Sequence, residues 1–317
     1  MGRATSRRSP RSPRSRPQLR ALAAAVAALT AAGAAHAGAW GLCDRPREAG
    51  AAAQDRMLRF AAAIAQALDG SGQTVALIAR SGMDLGRFGI RDSHAGIALK
   101  PPGSGGWSVR QLYYACDASR PRLYDQGLPG FILGRDDPRT GHATVVLLPG
   151  APGAALEGTA LDRPTALSLL AADYSANAYA YSTRYQNCNQ WVAEMLARAW
   201  SPWDASLPAR EQAQHWLRAQ GYAPAPIEVG SHALMFAAHF APLVHVDDHP
   251  LEDLQALRFR ASLPAAIEDF ARQQVPGAQR IGFCHDLRKI VIHRGWDPFG
   301  AECEPVAEDD EVIALDP

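Results

Sequence analysis

Three apolar strands lie between residues 74 and 116, and they constrain the fold more than any other stretch. "TVALIAR" (74–80) is a short apolar run bounded by turn signals, the pattern of a buried strand. "SHAGIALK" (93–100) and "WSVRQLYYAC" (107–116) flank the turn-rich "PPGSGG", so the two read as a hairpin with Trp107, Val109, Gln111 and Tyr113 on one face. "ATVVLL" (143–148) is a further strand, followed by a Pro-Gly-Ala loop. Helical spacing takes over elsewhere. Met57, Ala61, Ile64 and Leu68 mark an amphipathic helix over 54–68. "RPTALSLLAAD" follows, with Pro164 near its start, and then a helix over 187–200 with Cys188, Trp191, Val192, Met195, Leu196 and Ala199 on one stripe. A helix over 210–222 is stopped by Gly221, and "APAPIEVG" reads as a linker. Beyond it the pattern predicts a strand near Leu243–Val246, a helix over 263–273 capped by Ser262, a strand in "RKIVIHRGW" and an acidic tail. The expected class is α+β, with a core over residues 38–222 and residues 223–317 packed on it as a C-terminal extension.

The first 37 residues read as a secretory signal peptide. Arg3, Arg7, Arg8, Arg11, Arg14, Arg16 and Arg20 precede an alanine-rich apolar run, which ends in the small-x-small pattern Ala35-His36-Ala37. The run is shorter and less apolar than a span of roughly 20 residues requires, so cleavage and a periplasmic or secreted location are expected. The formal net charge of zero hides an asymmetry. Without residues 1–37 the chain keeps 25 basic and 32 acidic residues, a net of −7. That balance argues against a nucleic-acid partner. No later segment is long and apolar enough to span a bilayer.

Five cysteines follow the apolar run: Cys43, Cys116, Cys188, Cys284 and Cys303. An odd count in an oxidising compartment leaves one thiol over. With Cys188 set aside, the favoured pairings are Cys284–Cys303, which closes a short loop, and Cys43–Cys116, which ties the mature N-terminus to a strand.

Cys188 lies where the helix of 187–200 begins. Asn187 or Gln186 can cap that helix, and its unpaired N–H groups favour an anion such as a thiolate. A cysteine on an apolar stripe also serves as a small core residue. A nucleophile needs a base, and His94 opens a strand beside the small residues Ser93, Ala95 and Gly96. Counting across the hairpin puts His94 opposite Gln111–Leu112, and only Gln111 can accept from an imidazole N–H. Tyr185 and Asn187 are candidate site-lining residues, although an aromatic ahead of a helix also staples its start.

The segments "SHAGIAL", "GGWSVRQLYYAC", "YDQGLPGFI" and "RYQNCNQWVAEMLA", with the later "FCHDLRKIVIHRGWDP", resemble the secreted bacterial family called domain of unknown function 2145. A histidine strand followed much later by "NC" at a helix start also looks like the circularly permuted papain-like fold of NlpC-type peptidases and lecithin–retinol acyltransferase relatives. That resemblance implies Cys188 as nucleophile, His94 as base and Gln111 as the residue that orients the ring. It implies acyl transfer or hydrolysis at an amide or ester, with no cofactor and no metal. The expected partner is a cell-envelope substrate such as peptidoglycan peptide or lipid. A catalytically silent envelope-binding module on the same fold is the alternative. "HVDDHP" (245–250) offers histidines and carboxylates, but its spacing reads as a solvated turn rather than a metal site.

Overall fold

The computed structural model describes residue 1 and residues 50–83, 85–134, 139–300 and 302–315. The expected signal peptide and Cys43 lie outside the described residues. Among the described residues no helix is long and apolar enough to cross a membrane.

The chain from residue 50 builds one large antiparallel sheet with helices on both faces. Helix α1 (Ala51–Gly70) leads into strand β1 (Val75–Arg80), then β2 (His94–Leu99), β3 (Ser108–Ala115) and β4 (Arg120–Gly127). Helix α2 (Leu128–Leu133) and strand β5 (Gly141–Leu147) follow, and then helices α3 (Ala151–Leu161), α4 (Arg163–Ser168), α5 (Cys188–Trp200) and α6 (Ala209–Ala219). A short pair, β6 (Ile227–Glu228) and β7 (Arg258–Phe259), brackets α7 (His232–Ala238) and α8 (Leu251–Gln255). The chain closes with α9 (Pro264–Gln274), β8 (Gln279–His285), β9 (Lys289–Arg294) and β10 (Glu311–Ala314). The large sheet has the order β10-β9-β8-β5-β1-β2-β3-β4.

Every residue of β1 and of β2 is buried, because both faces of the sheet are covered. Val75, Leu77, Ala79, Ile97 and Leu99 pack with Trp191, Val192 and Leu196 of α5 on one face. Ala76, Ile78 and Ala98 alternate onto the other face, against Phe60 and Ile64 of α1 and Phe131 of α2. Each strand therefore reads as an unbroken apolar run rather than an alternating one.

Several local expectations differ from the structure. Residues 151–161 form a helix instead of a loop: Pro152 sits in the first turn, where no N–H is needed, and Leu156 and Ala160 are buried. Residues 120–133 hold strand β4 and helix α2, which the polar, charged sequence of 119–127 concealed. No strand forms at 243–246, and Leu243 has a φ of 59°. Helix α9 starts after Leu263 with no side-chain cap, so Ser262 does not cap it. The C-terminal residues supply three strands of the main sheet, with β8 running antiparallel to β5. Cys284 and Cys303 form a disulfide with a Cα–Cα distance of 5.6 Å. Cys116 is also disulfide-bonded, and among the described cysteines Cys188 is free.

Candidate active site

The start of α5 is built by asparagine side chains. Asn187 Oδ1 accepts the Gln190 backbone N–H at 2.7 Å and so caps the helix. Its Nδ2 donates to the carbonyls of Ala176 and Ser262 at 3.2 and 3.3 Å. Asn189 Nδ2 donates to the carbonyls of Ser93 and Ser262, both at 3.1 Å. The helix start is thereby fastened to the residue before His94.

Behind the helix start, buried Glu194 accepts from Arg210, Gln186 and Gln214. Arg210 also donates to the Thr183 and Tyr185 carbonyls, so this network holds the loop that leads into Cys188.

The Cys188 sulfur lies among three backbone N–H groups, those of Ala95, Asn189 and Cys188 itself. Cys188 is 6 % exposed, and burial pushes its thiol up to about 11, against the opposing pull of those N–H groups and of the Arg80 charge. His94 is 8 % exposed, and burial first, then the Arg80 charge, brings its imidazole down to about 3. At neutral pH the resting pair is a thiol and a neutral imidazole.

The ring is oriented by Gln111. His94 Nε2 lies 2.6 Å from Gln111 Oε1, and Gln111 Nε2 donates to Gln126 Oε1 at 2.9 Å. That second bond fixes the amide so that its oxygen faces the ring. An oxygen can only accept, so Nε2 carries the proton and Nδ1 keeps a lone pair. The close approach of β2 to β3 depends on Gly96: a Cβ there would lie 2.5 Å from Val109 Cγ1 and 3.0 Å from the Arg110 carbonyl. The β2–β3 ladder pairs Ile97 with Arg110, so the His94–Gln111 contact lies just beyond its last pair.

His94 and Gln111 are thus brought together, and the Cys188 sulfur meets the backbone of Ala95, one residue from His94. Among the described residues no hydrogen bond joins the thiol to the imidazole. The His94 ring packs on Tyr113 and Phe131, at 4.8 and 5.8 Å between centroids. Tyr185 turns the other way: its ring stacks on His245 at 4.3 Å, and its hydroxyl reaches Asp247. Asn187 is occupied by its capping bonds.

Arg80, Tyr113 and Tyr174 also belong to this neighbourhood. Burial, then Cys188 and Tyr113, holds the Tyr174 phenol well above its ordinary value. Tyr113 was detectable as a member of the Gln111 face. Arg80 resembles an ordinary charge at a strand end, and Tyr174 arrives on a loop with no periodic signal. A cleft of about 450 Å³ opens beside Gln111, lined by Tyr113, Tyr114, Tyr124, Gln126 and Asp117. In "HVDDHP", His249 Nε2 lies 2.8 Å from the Asn177 carbonyl, and the Asp248 carboxylate accepts the Tyr179 backbone N–H.

No curated protein and no solved structure matches the chain. The "FCHDLRKIVIHRGWDP" segment lies outside the part of the chain that a family model covers. Residues 67–271, more than half of the sequence and all of the Cys188–His94–Gln111 site, match the family described as uncharacterized protein conserved in bacteria, DUF2145, and the chain belongs to that family.

Proposed function

We propose that this protein is a periplasmic or secreted thiol enzyme that transfers or hydrolyses an acyl group at an amide or ester, on a permuted papain-like core formed by β1–β3 and α5. The observation that carries the reading is the His94–Gln111 contact at 2.6 Å, next to a free Cys188 at a capped helix start. Gln111 leaves His94 Nδ1 as the basic atom. On substrate binding Nδ1 takes the thiol proton while the sulfur attacks the carbonyl carbon. The N–H groups of Cys188 and Asn189 face the charge that develops on the carbonyl oxygen. The imidazolium then gives its proton to the departing amine or alcohol. Water, deprotonated by the same nitrogen, cleaves the thioester and restores the thiol.

The cleft beside Gln111, which neither Cys188 nor His94 lines, supports a polar, peptide-like substrate over a lipid chain, since tyrosines, glutamines and the carboxylates of Asp117 and Asp125 line it and Ala115 is its one aliphatic side chain. The test is to incubate the protein with soluble peptidoglycan peptides, quench in acid and search for an acyl adduct on Cys188 by mass spectrometry. The adduct is expected in the parent and lost in His94→Ala. A protein that forms no adduct, and whose Cys188 reacts with iodoacetamide no faster than a free cysteine, supports the second reading instead: a silent binding module. The high-lying thiol is the observation that favours this alternative.

A further inference from the structure

Arg80 ends β1 and is 2 % exposed, and it is the cross-strand partner of His94. A guanidinium in that position must be hydrogen-bonded to be tolerated. Its Nη1 donates to the Ser81 carbonyl at 3.1 Å, and its Nη2 donates to the Tyr113 hydroxyl at 2.8 Å. Its Cζ lies 5.1 Å from the centroid of Phe131. The space it occupies is closely fitted: a Cβ on Gly82 or on Gly134 would come within 3.3 and 3.0 Å of its terminal nitrogens. The two rings that Arg80 touches, Tyr113 and Phe131, are the two that pack on the His94 imidazole. A charge that merely capped the strand end would not need to share both aromatic neighbours of one histidine.

We propose that Arg80 is a positioning residue of the Cys188–His94 site: it fixes the two rings that enclose the imidazole and keeps a positive charge across the ladder from His94. The proposal rests on the reading of those two residues as nucleophile and base. Its charge favours the thiolate and disfavours the imidazolium, the direction that keeps His94 a neutral base. The other titratable groups that face these residues are Tyr174, whose phenol feels the Cys188 charge, and Tyr113, which packs on His94. Glu194, on the same helix, is engaged by Arg210 and Gln214.

The experiment reads the iodoacetamide alkylation rate of Cys188 against pH, together with the ring-nitrogen NMR resonances of His94, in the full chain and in Arg80→Gln, Arg80→Lys and Tyr113→Phe. Arg80→Gln is expected to slow alkylation at pH 8 by about tenfold, the equivalent of a thiol midpoint raised by one pH unit. Arg80→Lys is expected to keep the rate within about threefold, since the charge remains, while the His94 resonances move because the planar fork is lost. Tyr113→Phe is expected to move those resonances with the alkylation rate unchanged. A folded Arg80→Gln protein with the parent rate and the parent His94 resonances would overturn the proposal. If that variant does not fold, unchanged His94 resonances in both Arg80→Lys and Tyr113→Phe overturn it. Neither readout needs turnover, so a failed acyl-adduct test sinks the proposed function, while the alkylation rate and the His94 resonances decide separately whether Arg80 holds the two rings and acts on the thiol.

Discussion

Asn189 and Ser93 are joined by a 3.1 Å hydrogen bond from amide nitrogen to carbonyl oxygen, across 96 positions of sequence. This bond ties the helix start that carries Cys188 to the strand start that carries His94. Asn189→Ala removes it and leaves the Ser93 carbonyl without that partner. The expected cost is about 1–2 kcal/mol in denaturant unfolding. A backbone amide at Ala95 that exchanges faster with solvent would locate the loosening; unchanged exchange there would show that the bond does not set the register.

Stability should form a plateau bounded by the two site residues. His94 falls to about 3 in the folded protein from an ordinary 6.5. Between those values the unfolded chain binds the extra proton, so stability is full above the unfolded value and declines as pH drops toward 3. Cys188 is raised to about 11 from 9. The folded state holds the extra proton there, so stability declines as pH rises from 9 to 11. Each pH unit within a window shifts stability by at most about 1.4 kcal/mol per group. Chemical denaturation of His94→Asn should show a shallower acid limb, and Cys188→Ser a shallower alkaline limb.

Gly96→Ala should cost about 1–3 kcal/mol, because the added methyl meets Val109 at 2.5 Å and a backbone oxygen at 3.0 Å. The same displacement moves β3 away from β2 and should lengthen the His94–Gln111 contact. A thermal melt matching the parent would show that the hairpin absorbs a methyl group freely.

Glu194→Ala leaves the Arg210 guanidinium buried without its carboxylate. A loss of about 3–5 kcal/mol is expected. Protease cleavage within 182–186 should accelerate, since Arg210 holds that loop through the Thr183 and Tyr185 carbonyls. Limited proteolysis with the parent pattern would disconnect the network from the loop.

Gln111→Leu keeps the bulk and removes the acceptor from His94 Nε2. Under the proposed mechanism turnover should fall by at least about tenfold, which corresponds to roughly 1.4 kcal/mol. Gln111→His, which can again partner the ring, should recover part of that loss. Equal rates in all three proteins would remove Gln111 from the mechanism.

What the sequence by itself determined was local. A short apolar run marked β1 as a buried strand, the turn-rich 101–106 marked β2 and β3 as a hairpin, and asparagine ahead of Cys188 marked a capped helix start. The odd cysteine singled out Cys188. The hairpin count put Gln111–Leu112 opposite His94, whereas the observed register, Ile97 with Arg110, carries on to set Gln111 opposite Gly96, and Gln111 reaches the His94 ring diagonally. The tertiary structure decided the rest. Periodicity tells which side of an element is apolar but not which distant element covers it. Nothing in "FCHDL" told that it pairs with β5, and nothing in "ALIAR" told that its arginine turns inward beneath Tyr113. Whether the helix start of Cys188 meets the strand start of His94 was likewise a long-range question. It was settled by carbonyls of Ser93 and Ser262 that no local pattern in the chain announces.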